Sequence, residues 1–123
     1  MVFLRVSAGF PSPAEVYVEK NLSLDDLLVQ SKVSTYFVYA KGHSMKDAGI
    51  GDGDLLIVDR ALEAFDKSIV VAMLDGDFTI KRLHIRENDV VLLPENPAYP
   101  PIHVTKEMNF EIWGVVKHVI KSF

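Results

Sequence analysis

The stretch Ser68–Ile85, SIVVAMLDGDFTIKRLHI, decides the fold. Two runs rich in Val, Ile, Leu and Phe flank Asp75-Gly76, a pair suited to the left-handed backbone of a two-residue hairpin turn. The pattern predicts antiparallel strands at Ser68–Leu74 and Phe78–Ile85. Working outward, similar apolar runs predict strands at Tyr36–Ala40, Asp54–Asp59, Val90–Pro94 and Phe110–Ile120. Gly51-Asp52-Gly53-Asp54 is turn chemistry, and the proline-rich Pro94–Pro101 reads as an irregular loop. The best helix signal lies upstream. Ser23 suits an N-cap, Asp25 and Asp26 suit the positive end of a helix dipole, and Leu24, Leu27 and Leu28 supply an apolar stripe ending near Ser31. A small, mainly β, partly barrel-like domain with one or two short helices follows.

The chain divides by composition into three zones. Residues 1 to 8 form a short arm without a periodic pattern. Gly9-Phe10-Pro11-Ser12-Pro13 is a stiff connector, since each proline fixes its own φ and restricts the residue before it. Residues 14–123 read as one domain, as the length of 123 residues suits. Half the composition is apolar, 49%, enough for a core without staples. The absence of cysteine excludes a disulfide framework, a thiolate metal site and a cysteine nucleophile. The formal charge is −4 with scattered cations, so direct DNA binding, which needs a basic stripe, is not expected. MVFLRVSAGF lacks the apolar core of a secretory signal, and no run approaches the roughly 20 residues that span a bilayer. A soluble, cytoplasmic protein is expected.

Most site chemistry is excluded by spacing. His43, His84, His103 and His118 have no zinc-ligand register. Asp47, Asp52, Asp54 and Asp59 lack the register of a calcium loop and suit turns and strand ends. No glycine pattern forms a nucleotide cradle, and no cofactor is expected. Two segments remain: Gly42-His43-Ser44-Met45 and Phe78-Thr79-Ile80-Lys81. Ser44 follows a predicted strand at a glycine turn that projects its hydroxyl, but a serine needs an adjacent base to become a nucleophile. His43 is adjacent in sequence, yet neighbours on extended backbone face opposite ways. Lys81 shares a strand face with Thr79, Leu83 and Ile85. Burial there lowers an ammonium pKa and makes a neutral amine available as a general base. Backbone N–H groups of Ser44 and Met45 are candidates for an oxyanion hole. The residues alone leave a second reading open: a turn serine, and a strand lysine whose stem snorkels to solvent.

Several stretches together resemble the LexA/UmuD group of self-cleaving serine–lysine peptidases, and its UmuD-type members most. They are Gly9–Ala14, Tyr17-Val18-Glu19, Tyr36-Phe37-Val38, Gly42–Met45, Gly53–Asp59, Asp75-Gly76, Phe78–Lys81 and Gly114-Val115-Val116, in order from Gly9 toward the C-terminus. The separation of 37 positions between Ser44 and Lys81 belongs to the same pattern. The resemblance implies twisted β-sheets forming a partly open barrel, with Ser44 as nucleophile and Lys81 as general base. It places the cut between Ala8 and Gly9, in a chain that trims its own arm. It further implies stimulation by a RecA–single-stranded DNA filament, a homodimer, and work of the trimmed form with a UmuC-type Y-family polymerase in error-prone translesion synthesis. The polymerase processivity clamp is a further partner implied. One departure is the arm: eight residues precede the cut here, fewer than in UmuD-type members. A LexA repressor also carries an N-terminal DNA-binding domain, for which this length leaves no room, so a repressor is not expected. The competing readings are a non-catalytic polymerase-docking dimer of the same fold and a membrane signal peptidase. The latter shares serine–lysine chemistry but needs an anchor.

Overall fold

A computed structural model describes residues 28, 29 and 31–123 in full, and residues 2–6 and 16–20 through their backbone. The chain separates into two compact units, Met1–Gln30 and Ser31–Phe123. In the first, strand β1 (Val2–Val6) pairs antiparallel with β2 (Val16–Lys20), in register from Val2 opposite Lys20 to Val6 opposite Val16. This ladder is an addition to the sequence reading, which gave residues 1 to 8 no regular structure. The Ala8–Gly9 bond, the connector at 9–13 and the boundaries drawn there lie outside the described residues. So does most of the helix expected from Ser23 to Ser31, of which Leu28 is helical and Val29 is not.

The second unit is a seven-stranded antiparallel sheet. Its strands are β3 (Thr35–Tyr39), β4 (Leu55–Asp59), β5 (Ile69–Leu74), β6 (Asp77–Arg86), β7 (Asp89–Leu93), β8 (Ile102–His103) and β9 (Phe110–Ile120). Their order across the sheet is β3-β4-β9-β5-β6-β7-β8. The two edges, β3 and β8, are not paired with each other, so the sheet does not close into a barrel, and the expectation of a mainly β fold left open holds. All six strands read from the sequence are present, with ends within a residue or so of those expected. Among the described residues the only further helical element is a single 3₁₀ turn, Lys46–Ala48. No helix among them is long and apolar enough to cross a membrane.

The hairpin that decided the fold closes as its turn chemistry dictates. Leu74 pairs with Asp77, leaving Asp75 and Gly76 as a two-residue loop with φ of 49° and 88°. Positive φ at both central positions matches the right-handed twist of the flanking strands. From there β5 and β6 run side by side, and β9 crosses the centre of the sheet between β4 and β5. The longest strand, β9, does not pair evenly. Val71 lies opposite Gly114 but Ala72 opposite Ile112, and Ile57 opposite His118 but Val58 opposite Val116. Trp113 and Lys117 are therefore the extra residues of two bulges, which bend a strand and re-aim side chains.

Two apolar clusters pack against the sheet. One gathers Ala40, Met45, Ile50, Leu56, Val58 and Val71, with Ile80 and Trp113 packed against it. The other gathers Val70, Ala72, Leu83 and Leu92. The first lies under the Ser44 turn, and the second backs the strand that carries Lys81. Each buried Val or Leu contributes about 1.5–3 kcal/mol from removing its side chain from water.

Candidate active site

Ser44 sits in the turn that follows β3. Gly42 takes φ of 88°, a left-handed value that a Cβ would strain, and its N–H donates to Asp52 Oδ1 at 2.7 Å. Met45 is buried, 3% exposed, and plugs the turn into the apolar cluster beneath. Its carbonyl accepts from the N–H groups of Ala48 and Ile50. The aspartates read as turn formers hold this corner. Besides Asp52, Asp54 Oδ2 accepts from Gly51 N at 2.7 Å; Asp59, at the far end of β4, caps its own strand end by accepting from Ala61 N at 2.8 Å. Lys121 pairs with Asp54 and, with the Gly51 bond, holds that carboxyl below the usual range.

Lys81 comes from the middle of β6, on the face it shares with Thr79 and Leu83. It is 7% exposed, in a strand whose neighbour Leu83 is 1% exposed. Its Nζ reaches three oxygens: Thr79 Oγ1 at 2.7 Å, Ser44 Oγ at 3.1 Å and the Ile80 carbonyl at 3.1 Å. No carboxylate is among them. Desolvation by burial is what pushes the Lys81 ammonium below its ordinary pKa.

That partner set has a chemical consequence. A neutral amine offers two N–H donors and one lone pair. The Ile80 carbonyl can only accept, and Thr79 Oγ1 stands closest, so these two take the N–H groups. The lone pair is then left for the Ser44 O–H. The arrangement can therefore draw the proton from Ser44 while strand atoms hold the amine in place. General-base assistance of this kind contributes about 10²–10⁴ in rate.

The pair faces a cavity of about 470 Å³ whose walls are mostly apolar. Val38, Ile50, Val71, Ile80, Tyr99 and Trp113 are among the residues that line it. Trp113, thrown out of register by its bulge, is packed edge-on against Tyr36 at 5.2 Å and Phe78 at 5.8 Å between ring centres. The Arg60 guanidinium lies 4.6 Å from the indole centre, and its Nε donates to the Trp113 carbonyl at 3.0 Å. A cavity of this size and polarity suits a largely apolar ligand or segment better than a highly charged one.

The structure thus brings Ser44 and Lys81 into hydrogen-bond contact, with Met45 directly after the serine. His43 also lines the cavity, and its carbonyl accepts from Asn96 Nδ2 at 2.9 Å. Ala8 and Gly9 lie outside the described residues. The sequence reading missed what holds Ser44 and Lys81 in place. Thr79 was read only as a face-mate of Lys81, although a hydroxyl two positions along the same strand face was the available signal. Glu95 and Asn96 were absorbed into an irregular loop. Glu95 N donates to the Ser44 carbonyl at 2.8 Å, a contact between distant segments that no local pattern announces.

Comparison with known proteins gives the family. Residues 1–117 match the Peptidase S24-like family. The chain is 45% identical over 115 residues to Protein MucA of Salmonella typhimurium, covering 93% of this chain and 78% of the relative. It is 44% identical over 112 residues to Protein SamA of Salmonella typhimurium (strain LT2), covering 91% and 77%. It is also 43% identical over 118 residues to the LexA repressor of Delftia acidovorans, covering 96% of this chain but 52% of the repressor. With nearly its whole length matched, the chain belongs to the Peptidase S24-like family.

Proposed function

We propose that the chain is a UmuD-type serine endopeptidase that cuts its own Ala8–Gly9 bond and, once trimmed, serves error-prone DNA synthesis in the SOS response. The observation that carries this reading is the 3.1 Å hydrogen bond between Lys81 Nζ and Ser44 Oγ, made by a lysine that is 7% exposed and has no carboxylate partner among the described residues.

In this mechanism neutral Lys81 takes the Ser44 hydroxyl proton as Oγ attacks the Ala8 carbonyl carbon. The oxyanion that forms is held by the N–H groups of Ser44 and Met45. As the C–N bond breaks, Lys81 returns the proton to the Gly9 amine, and residues 1 to 8 remain as an ester on Ser44. Lys81 then takes a proton from water as the water oxygen attacks the ester carbon. It returns that proton to Ser44 Oγ as the C–O bond breaks, which frees the arm as a carboxylic acid and restores the neutral amine and the hydroxyl. The small side chains at 8 and 9 suit entry of an extended segment into the cavity. The prolines at 11 and 13 limit the directions from which it arrives.

For the cellular role the support is the family and the likeness to MucA and SamA. The trimmed chain acts in the cytoplasm as a homodimer with a UmuC-type Y-family polymerase, the processivity clamp being a further contact. A RecA–single-stranded DNA filament accelerates the cut by favouring the conformation in which the arm occupies the cavity. The test has two arms. Purified chain incubated with RecA, single-stranded DNA and nucleotide should lose residues 1 to 8 faster than without filament, by intact mass. In damaged cells, residues 9–123 carrying Ser44→Ala should support mutagenesis while full-length Ser44→Ala should not. Equal support by both would make the cut dispensable and favour a docking module that needs no catalysis.

A further inference from the structure

We infer that Glu95 and Asn96 are positioning residues that hold the Ser44 turn at its working distance from Lys81, an inference that rests on the self-cleavage proposed above. The two carbonyls that flank the Ser44 backbone are both tied to this pair. The His43 carbonyl accepts from Asn96 Nδ2 at 2.9 Å, and the Ser44 carbonyl accepts from Glu95 N at 2.8 Å. On the far side of the turn, Asp47 N donates to the Glu95 carbonyl at 2.8 Å. With its backbone pinned on both sides, Ser44 keeps only its side-chain torsion to adjust.

The same pair is anchored to the strand that carries the base. Arg82 lies opposite Leu93 in the β6–β7 ladder, and Glu95 follows two residues after that point. Glu95 Oε1 accepts from Arg82 Nε at 2.5 Å, while Arg82 Nη1 donates to the Lys67 carbonyl at 2.6 Å. Arg82 is the residue next to Lys81. Asn96 is 9% exposed, and its Oδ1 accepts from Ala98 N at 3.0 Å, so both ends of its amide are used. A short path of covalent and hydrogen bonds therefore runs from Lys81 through Arg82 and Glu95 to Ser44. Nucleophile and base are set by one ruler.

Asn96→Ser tests this, because serine can still accept from Ala98 N but is too short to reach the His43 carbonyl. Asn96→Ala removes both bonds. Two readouts are taken on the full chain: the first-order rate of arm loss per folded molecule across pH, and the titration midpoint of Lys81 by NMR of 13C-labelled lysine. The other titratable groups lining the cavity, Tyr39, Lys41, His43 and Tyr99, are unchanged in both variants. Losing one buried hydrogen bond of net worth about 1–1.5 kcal/mol slows the cut by roughly five- to tenfold. A loosened turn also admits water to Nζ, so the Lys81 midpoint moves up toward the ordinary lysine value. A rate within twofold of wild type with an unmoved midpoint overturns the inference. So does a slowing of total arm loss that disappears when counted per folded molecule while the midpoint stays fixed, since that is stability alone. If wild type stays uncut at every pH but Asn96→Ser moves the midpoint, the clamp stands and the cleavage reading falls.

Discussion

Thr79→Val is the substitution whose effect on the proposed chemistry can be worked most fully. Valine keeps the shape of threonine and replaces Oγ1, the nearest partner of Lys81 Nζ at 2.7 Å, with a methyl. In the step where Lys81 takes the Ser44 proton, positive charge develops on Nζ at a site only 7% exposed, where water compensates poorly for the lost acceptor. A hydrogen bond to a charged group contributes about 1.5–3 kcal/mol, which at about 1.36 kcal/mol per decade is a loss of roughly 10- to 150-fold. The pH profile gives a second signature. Removing an acceptor disfavours the ammonium, so the midpoint of the rate-against-pH curve shifts to lower pH while the plateau falls. The assay is intact-mass kinetics over a pH series, read at the plateau. Thr79→Ser, which restores an oxygen, should recover most of the rate. A plateau within twofold of wild type, or a midpoint that rises, would refute the view that Thr79 orients the base.

Other outcomes follow from the packing and from Lys81 itself. At Gly114, beside the Trp113 bulge, an added Cβ would lie 2.5 Å from Val58 Cγ1 and 3.4 Å from the Asp59 carbonyl. Gly114→Ala should therefore cost about 1–3 kcal/mol of stability, seen as a lower urea midpoint with an unchanged slope. Lys81 binds its proton less tightly when folded than when unfolded, because folding buries it. Between the folded pKa and the higher unfolded one, the unfolded chain holds more protons, so this residue makes stability rise with pH across that window. Urea titrations at increasing alkaline pH should show wild type gaining on Lys81→Met. A constant difference would mean that Lys81 is not desolvated.

Local pattern made the scaffold readable and left the fine geometry unseen. The β5–β6 hairpin was legible because Asp75-Gly76 has few alternatives to a tight turn between two β-rich runs. The bounds of β9 were equally clear, but its bulges were not, since they arise where Gly114 packs against Val58 on a neighbouring strand. Ile102–His103 was too short to carry a period, and the β1–β2 ladder joins segments that show no alternation. At the candidate site, alternation placed Lys81 on the buried face with Leu83. Its contact with Ser44 depends on a sheet order in which β6 lies three strands from β4 and four from β3. Asn96 illustrates the limit well. Its bond to Ala98 is the sort a loop asparagine announces, whereas its bond to His43 spans 53 positions.

The central claim, that Lys81 acts as the base for Ser44, is tested most directly by the rate of loss of residues 1 to 8 from purified full-length chain as pH is raised. Intact mass is followed for wild type, Ser44→Ala and Lys81→Ala. The account predicts a first-order rate in wild type that climbs and then levels at a midpoint below the ordinary lysine pKa, and no loss in either variant. An arm that stays attached in wild type at every pH, or comes off Lys81→Ala at the wild-type rate, would contradict it.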